Sequence, residues 1–305
     1  MSEAAQKIYQ QVLDDLTEGV VSCNYDMIRP RLAIPHLMVT STARLVAKTE
    51  AEMQEAFMTF AMGLRQLGIT DYTRIAHECD FLGEDEIIGH HTSFFRKEGR
   101  DVVTPYPSMC RMERRAGAWV LTEAQNAIDN SHWPILLPDV PSDPVAGAEG
   151  PAVRLRALQE VMDRISSAFI ENDLQRWLDC VELPFTLISR TGPERFETEA
   201  DIRADFEAYQ RDILENGITD IFRTALSTQA VGPDQMIGIY RTRILRGTEQ
   251  AVPAWQAAVT LRKRQGTWRA TSVLRAIGHQ NWSAATAGDI QTISNTPHNL
   301  GERPQ

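Results

Sequence analysis

The chain has 305 residues, 43% hydrophobic and 24% charged, which is ordinary for a globular protein and long enough for two domains with separate cores. Its 31 basic residues stand against 41 acidic ones, a formal charge of −10 with no long Lys/Arg run, and this argues against nucleic acid as a partner. Met1–Lys7 lacks the apolar centre of a signal peptide, no stretch is long and apolar enough to span a bilayer, and the four cysteines are scattered. The expectation is a cytoplasmic chain with free thiols and no membrane partner.

In chain order the first element is a helix, with Ile8, Val12, Leu13, Leu16 and Val20 at helical spacing. A short second helix carries Tyr25 and Ile28. Pro35 precedes a strand over 37–40. Thr49-Glu50-Ala51-Glu52 reads as a capping box that opens a long helix, and Gly68 is its expected left-handed terminator. Strands then follow over 72–82 and 86–97, joined by a turn at Gly83-Glu84-Asp85, and over 106–114 and 119–128, joined at Arg115-Ala116-Gly117.

The same order then recurs. An offset of 149 residues, the separation of Gly68 from Gly217, lays Gly68-Ile69-Thr70-Asp71 on Gly217-Ile218-Thr219-Asp220. It also pairs Pro35 with Pro184, Phe57 with Phe206, Gly83 with Gly232, Gly89 with Gly238, Trp119 with Trp268 and Trp133 with Trp282. Thr198-Glu199-Ala200-Asp201 is the second capping box. Helices followed by an antiparallel meander, twice over, predict an α+β fold in tandem. The expected bounds are 1–133 for the first domain, 134–152 for a Pro/Gly-rich linker, 153–283 for the second domain and 284–305 for a polar tail.

Strand parity selects candidate residues. On 72–82 the even positions include Arg74, Glu78 and Asp80, so the odd face, with His77 and Cys79, is expected to be the helix-covered one. On 86–97 the matching face carries Gly89, His91 and Ser93. If the hairpin is symmetric about Glu84, His77 and His91 lie directly opposite each other. With Tyr106, Ser108 and Cys110 from the next strand they would form a polar cluster on the covered face. The second copy has Leu226, Tyr240, Trp255, Ala257 and Val259 at those places, so the first copy is polar where the second is apolar. A neutral His pair can serve as acid and base near pH 7. The plain alternative is a hydrogen-bonded packing pair. Two His without a third ligand on the same face fall short of a metal set, and His90-His91 point to opposite faces. Arg74/Arg223 and Asp71/Asp220, present in both copies, are expected to serve the fold, and Trp119/Trp268 and Trp133/Trp282 to be packing anchors. Asp14/Asp163 face either solvent or the mouth of the fold. Phosphate-loop, dinucleotide and metalloprotease motifs are all missing from the sequence, so no cofactor is expected.

The element order, with Trp119 and Trp268 opening the last long strand after a Gly turn, resembles the nuclear transport factor 2-like superfamily, which includes SnoaL-like cyclases, ketosteroid isomerases and scytalone dehydratases. The resemblance covers both copies. It implies cone-shaped domains, each a curved, mostly antiparallel sheet closed by N-terminal helices around an apolar pocket. It also implies a covalent pseudo-dimer, which is a monomer or pairs again as a homodimer. The isomerase-type carboxylates have no counterpart, since Thr40 and Ser41, or Ser108 and Met109, occupy their approximate places.

The favoured expectation is therefore a small apolar organic ligand in the first cone, with isomerase-, cyclase- or dehydratase-type proton transfer by His77 and His91. Tyr106 would orient it, and Cys79, Ser108, Cys110, Tyr240 and Trp255 are further ligand-binding candidates. The alternative is a non-catalytic interaction or ligand-sensing module with both cones filled by their own side chains.

Overall fold

The computed structural model describes residues 2–130, 133 and 146–275. Pro134, Pro138, Pro141 and Pro144 of the expected linker, Trp282 and the expected tail lie outside the described residues. The first copy runs α1 (Glu3–Ser22), α2 (Tyr25–Ile28), a 3-10 turn (Arg29–Arg31), β1 (Leu32–Thr40), β2 (Arg44–Ala47), α3 (Glu50–Gln66), β3 (Asp71–Gly83), β4 (Glu86–Lys97), β5 (Arg100–Arg115) and β6 (Ala118–Asn126). The second repeats it as α4 (Pro151–Ile170), α5 (Leu174–Cys180), β7 (Val181–Ser189), β8 (Gly192–Phe196), α6 (Glu199–Glu215), β9 (Asp220–Gly232) and β10 (Gln235–Arg246). It ends with a short β11 (Glu249–Gln250), β12 (Trp255–Arg264) and β13 (Thr267–Arg275).

Strand order is β2-β1-β6-β5-β4-β3 in the first sheet and β8-β7-β13-β12-β10-β9 in the second, with β11 added beside β10. Among the described residues only β1–β6 and β13–β7 pair in parallel. The architecture is thus tandem α+β. The short strands β2 and β8 had no counterpart in the sequence reading; at four and five residues they show little periodicity.

Local chemistry explains the boundaries. The side chains of Thr49 and Thr198 accept from the amides of Glu52 and Asp201, whose carboxylates reach back to the capping residues, so both capping boxes form. Gly68 and Gly217 sit at φ of +67° and +60°, the left-handed turn that ends each long helix. Gln10 and Gln159 repeat one device: each amide nitrogen donates to the carbonyl of Arg74 or Arg223, and each amide oxygen accepts from Ala76 or Ala225. The first helix of each copy is thereby pinned to the edge strand. Arg74 adds bonds to Thr17 Oγ1 and the Leu13 carbonyl, in keeping with a structural role. Asp14 and Asp163 both face solvent.

Each sheet covers its own core with one face. Tyr9, Leu13, Phe57, Ile87, Phe95 and Met112 centre the first core, and Leu158, Met162, Ile202, Phe206 and Met236 the second. Helix and sheet approach closely at Gly89, where a Cβ would lie 2.6 Å from Cys79 Sγ and from the Tyr9 ring; Gly238 is closed in the same way by Leu158. The other faces meet. Leu37, Val39, Ile88 and Met109 pack with Ile188, Ile237, Ile239 and Leu274 in a third cluster, and Gln125 Nε2 donates to Ser272 Oγ at 3.2 Å across it. Burial on both faces makes β4 buried at nearly every position from Ile87 to Phe95, which conceals its alternation in sequence.

Candidate functional site

A cavity of about 520 Å3 lies between the first sheet and α1, α2 and α3. Leu16 and Val20 come from α1, Ile28 from α2, Met53, Phe57 and Phe60 from α3, and Leu32, Met38, Leu45, Ala47, Leu121 and Ala124 from the strands. His36, Tyr72, Arg74, His91, Tyr106, Cys110, Asn126 and Trp133 add polar atoms to this apolar wall, and Gln229 reaches it from the second copy.

The hydrogen bonds fix what each polar group can offer. Tyr9 Oη lies 2.9 Å from the Gly89 carbonyl and 2.8 Å from His91 Nδ1. A carbonyl only accepts, so the single phenolic proton goes to Gly89 and His91 Nδ1–H donates to Tyr9. The opposite arrangement would set two oxygens 2.9 Å apart with no proton between them. His91 Nε2 therefore carries a lone pair. Burial holds the imidazole neutral by lowering its pKa well below the ordinary value, helped by Arg74. His36 repeats the pattern, with Nδ1 donating to the Leu121 carbonyl at 3.1 Å and its pKa pushed down by burial to about 4.

The remaining polar groups are mostly satisfied. Trp133 Nε1 donates to Tyr106 Oη at 2.6 Å, and Tyr106, Phe95 and Tyr72 stack in a row. Burial raises the Tyr106 hydroxyl well above its ordinary pKa, so it stays protonated. Asn126 Nδ2 donates to the Val39 carbonyl, while its Oδ1 accepts from Ser108 Oγ at 3.0 Å. Burial pushes Cys110 up to about 11 and Cys79 to about 12, which leaves both as thiols rather than nucleophilic thiolates.

The expected His77–His91 pair does not form. Ala76 is the partner of His91, and a bulge between Ala76 and Cys79 shifts the register. His77 is exposed and bonds Thr92 Oγ1 at 2.7 Å, away from the cavity. The same bulge corrects the expected face of β3: before it the even residues Tyr72 and Arg74 line the cavity, and only beyond it does the odd residue Cys79 turn inward. Of the other candidates, Tyr106 and Cys110 line the cavity with His91. Cys79 and Ser108 are buried behind its wall, Ser108 spending its hydroxyl on Asn126. Tyr240 and Trp255 belong to the second core instead.

Four positions of this wall carry larger aromatic side chains in the second copy. Val20, Ile28, His36 and Ala47 correspond to Phe169, Trp177, Phe185 and Phe196. Those aromatics touch in sequence, with ring centroids 5.2 Å apart for Phe169–Trp177, 5.8 Å for Trp177–Phe185 and 5.7 Å for Phe185–Phe196. An aromatic plug fills the second copy where the first is open. His36 and Tyr9 were absent from the sequence-based candidates, although His36 against Phe185, and Tyr9 against Leu158, carried the same polar-for-apolar signal as Ser108 against Ala257. The groups among the described residues do not bring three metal ligands together, and no described helix is long and apolar enough to cross a membrane.

No family model matches the chain, and no curated protein does either. Solved structures with a similar fold include an NTF-2-like protein of Shewanella oneidensis MR-1, at 9% identity over 39% of this chain and 96% of that one, with a TM-score of 0.33. A Nostoc punctiforme protein with a cystatin-like fold matches at 14% identity over 43% of this chain and 95% of its own, with a TM-score of 0.35. A putative aromatic ring hydroxylase of Novosphingobium aromaticivorans matches at 14% identity over 45% and 93%, with a TM-score of 0.33. Each match spans less than half of this chain and nearly all of the other. Likeness at this level names neither a ligand nor a reaction.

Proposed function

We propose that the first domain binds a small, largely apolar organic molecule in its cavity, with His91 Nε2 as the proton acceptor and Tyr106 as the orienting hydroxyl. The observation that carries this reading is the contrast between copies: one pocket of about 520 Å3 is held open at the places where its duplicate inserts four aromatic rings. That volume lies within the range of small-molecule sites, and an apolar wall with a few convergent polar groups is their usual form. A neutral imidazole with a free Nε2 is suited to take a proton at neutral pH, which makes isomerase-, cyclase- or dehydratase-type chemistry the reaction class to test. Pocket and polar groups alone define the binding half of the proposal.

Titration calorimetry with hydroxyl-bearing aromatic ligands of biphenyl size tests it, in the wild type and in His91→Leu. Saturable binding with one site per chain, weakened by the substitution, is the expected result. Ligands that bind with equal affinity after His91→Leu would place the site elsewhere. The second reading, an interaction module with filled cones, is favoured by the plug in the second copy, and it applies to that copy alone.

A further inference from the structure

The polarity of the first cavity constrains what can occupy it. Its two imidazoles are both tied by Nδ1–H to main-chain carbonyls, His36 directly to Leu121 and His91 through the Tyr9 hydroxyl to Gly89. Each ring therefore presents only its Nε2 lone pair. Neither Nε2 has a hydrogen-bond partner among the described residues, although His36 is 4% and His91 3% exposed. An acceptor that an occupant covers without pairing costs about 1–3 kcal/mol, so an occupant that donates a proton to it gains affinity that an ether or a hydrocarbon does not.

The other polar groups do not reverse this bias. The guanidinium of Arg74 turns Nε and Nη2 onto Thr17 and the Leu13 carbonyl, neutral partners that leave its charge in place. Asn126 is bonded at both ends of its amide. The charged lining residues are three cations, Arg44, Lys48 and Arg74, and two anions, Glu52 and Glu55, so the preference for a donor rests on the two imidazole lone pairs and not on the charge balance.

Resting on the reading of this cavity as a small-molecule site, we infer that its ligand is an aromatic or alicyclic molecule bearing hydroxyl or N–H hydrogen-bond donors, received by His36 and His91. His36 is then a specificity-determining residue, and its replacement by Phe185 in the second copy removes that selectivity together with the space.

Three matched probes test this in the intact chain at pH 7.5: 4-phenylphenol, its methyl ether 4-methoxybiphenyl, and biphenyl-4-carboxylate. The expected order of affinity is the phenol first, by about three- to tenfold over the ether, which is the worth of one neutral hydrogen bond. The carboxylate, with lone pairs facing lone pairs at the imidazoles, binds more weakly than the phenol. The phenol has one proton to give, so whichever of His36→Leu and His91→Leu removes its acceptor should erase its advantage over the ether, with the ether's own affinity held or improved, and persistence of the advantage in the double variant would overturn the assignment. Because the three probes are compared in the wild type, the outcome stands even if a variant folds poorly. Equal binding of phenol and ether, or tightest binding of the carboxylate, would overturn the inference and leave the cavity as a binding site. Failure of all three to bind would overturn the underlying reading as well.

Discussion

His36 and Phe185 occupy one position in the two copies, 149 residues apart, and the first lines a cavity that the second helps to close. Both follow a cis proline bond, Ile34–Pro35 or Leu183–Pro184, on the strand that pairs in parallel with the last one of its sheet. One backbone thus carries two outcomes, decided by which side chains enter the space between helices and sheet.

Transferring the plug should close the first copy. The double substitution His36→Phe and Ala47→Phe places there the residues found at Phe185 and Phe196. The rings enter space that is already open, so overpacking, which typically costs about 1–3 kcal/mol, should be small. The expected outcome in titration calorimetry is loss of biphenyl-class binding, with an unchanged far-UV circular dichroism spectrum. Retained affinity would show that the ligand sits outside this cavity.

The reverse substitution has the opposite sign. Phe196→Ala removes a ring that is 6% exposed and packed against Phe185. Deleting a buried aromatic side chain costs about 3–5 kcal/mol through lost burial and the void it leaves. Urea unfolding should report a loss in that range, and small aromatic ligands should restore part of it by filling the new hole.

Tyr9→Phe tests the lone pair assigned to His91. Without the hydroxyl, Nδ1–H loses its acceptor and the ring is free to place the proton on either nitrogen. Nitrogen chemical shifts in long-range proton–nitrogen NMR should show an unprotonated Nε2 in the wild type and a mixture in the variant. Affinity for a hydroxyl-bearing probe should fall while that for its methyl ether holds. An Nε2-protonated wild type would refute the assignment.

Much of the scaffold was legible in the sequence because it rests on local chemistry. The capping boxes at Thr49 and Thr198 and the terminators Gly68 and Gly217 are set by a few neighbouring residues. The details of the site were less accessible because they depend on register. The bulge between Ala76 and Cys79 turns His77 outward, and no Gly or Pro between those residues marks it in the sequence. His36 follows Pro35, and its side chain meets the cavity only because β1 pairs with β6, a contact about 85 residues away in sequence. Gln229 enters from the other copy altogether, through sheet packing that periodicity does not reveal.

The buried histidines also predict how stability depends on pH. Burial pushes both His36 and His90 down to about 4, with Arg195 and His77 adding to the effect at His90. In the unfolded chain each returns to about 6.5, so below that value the unfolded state binds more protons than the folded one. Stability should therefore be intact above pH 6.5 and fall as the pH drops toward 4, with a limiting slope of about 1.4 kcal/mol per pH unit for each such group. His90 isolates the effect. It is 4% exposed, lies between the two sheets with neither ring nitrogen bonded, and corresponds to Ile239 in the second copy. His90→Ile should raise stability at neutral pH by removing two unpaired buried polar atoms, and should remove one group's share of the slope between pH 6 and 4.5. Urea titrations at four pH values check both, and an unchanged slope in the variant would show that His90 does not titrate differently in the folded and unfolded states.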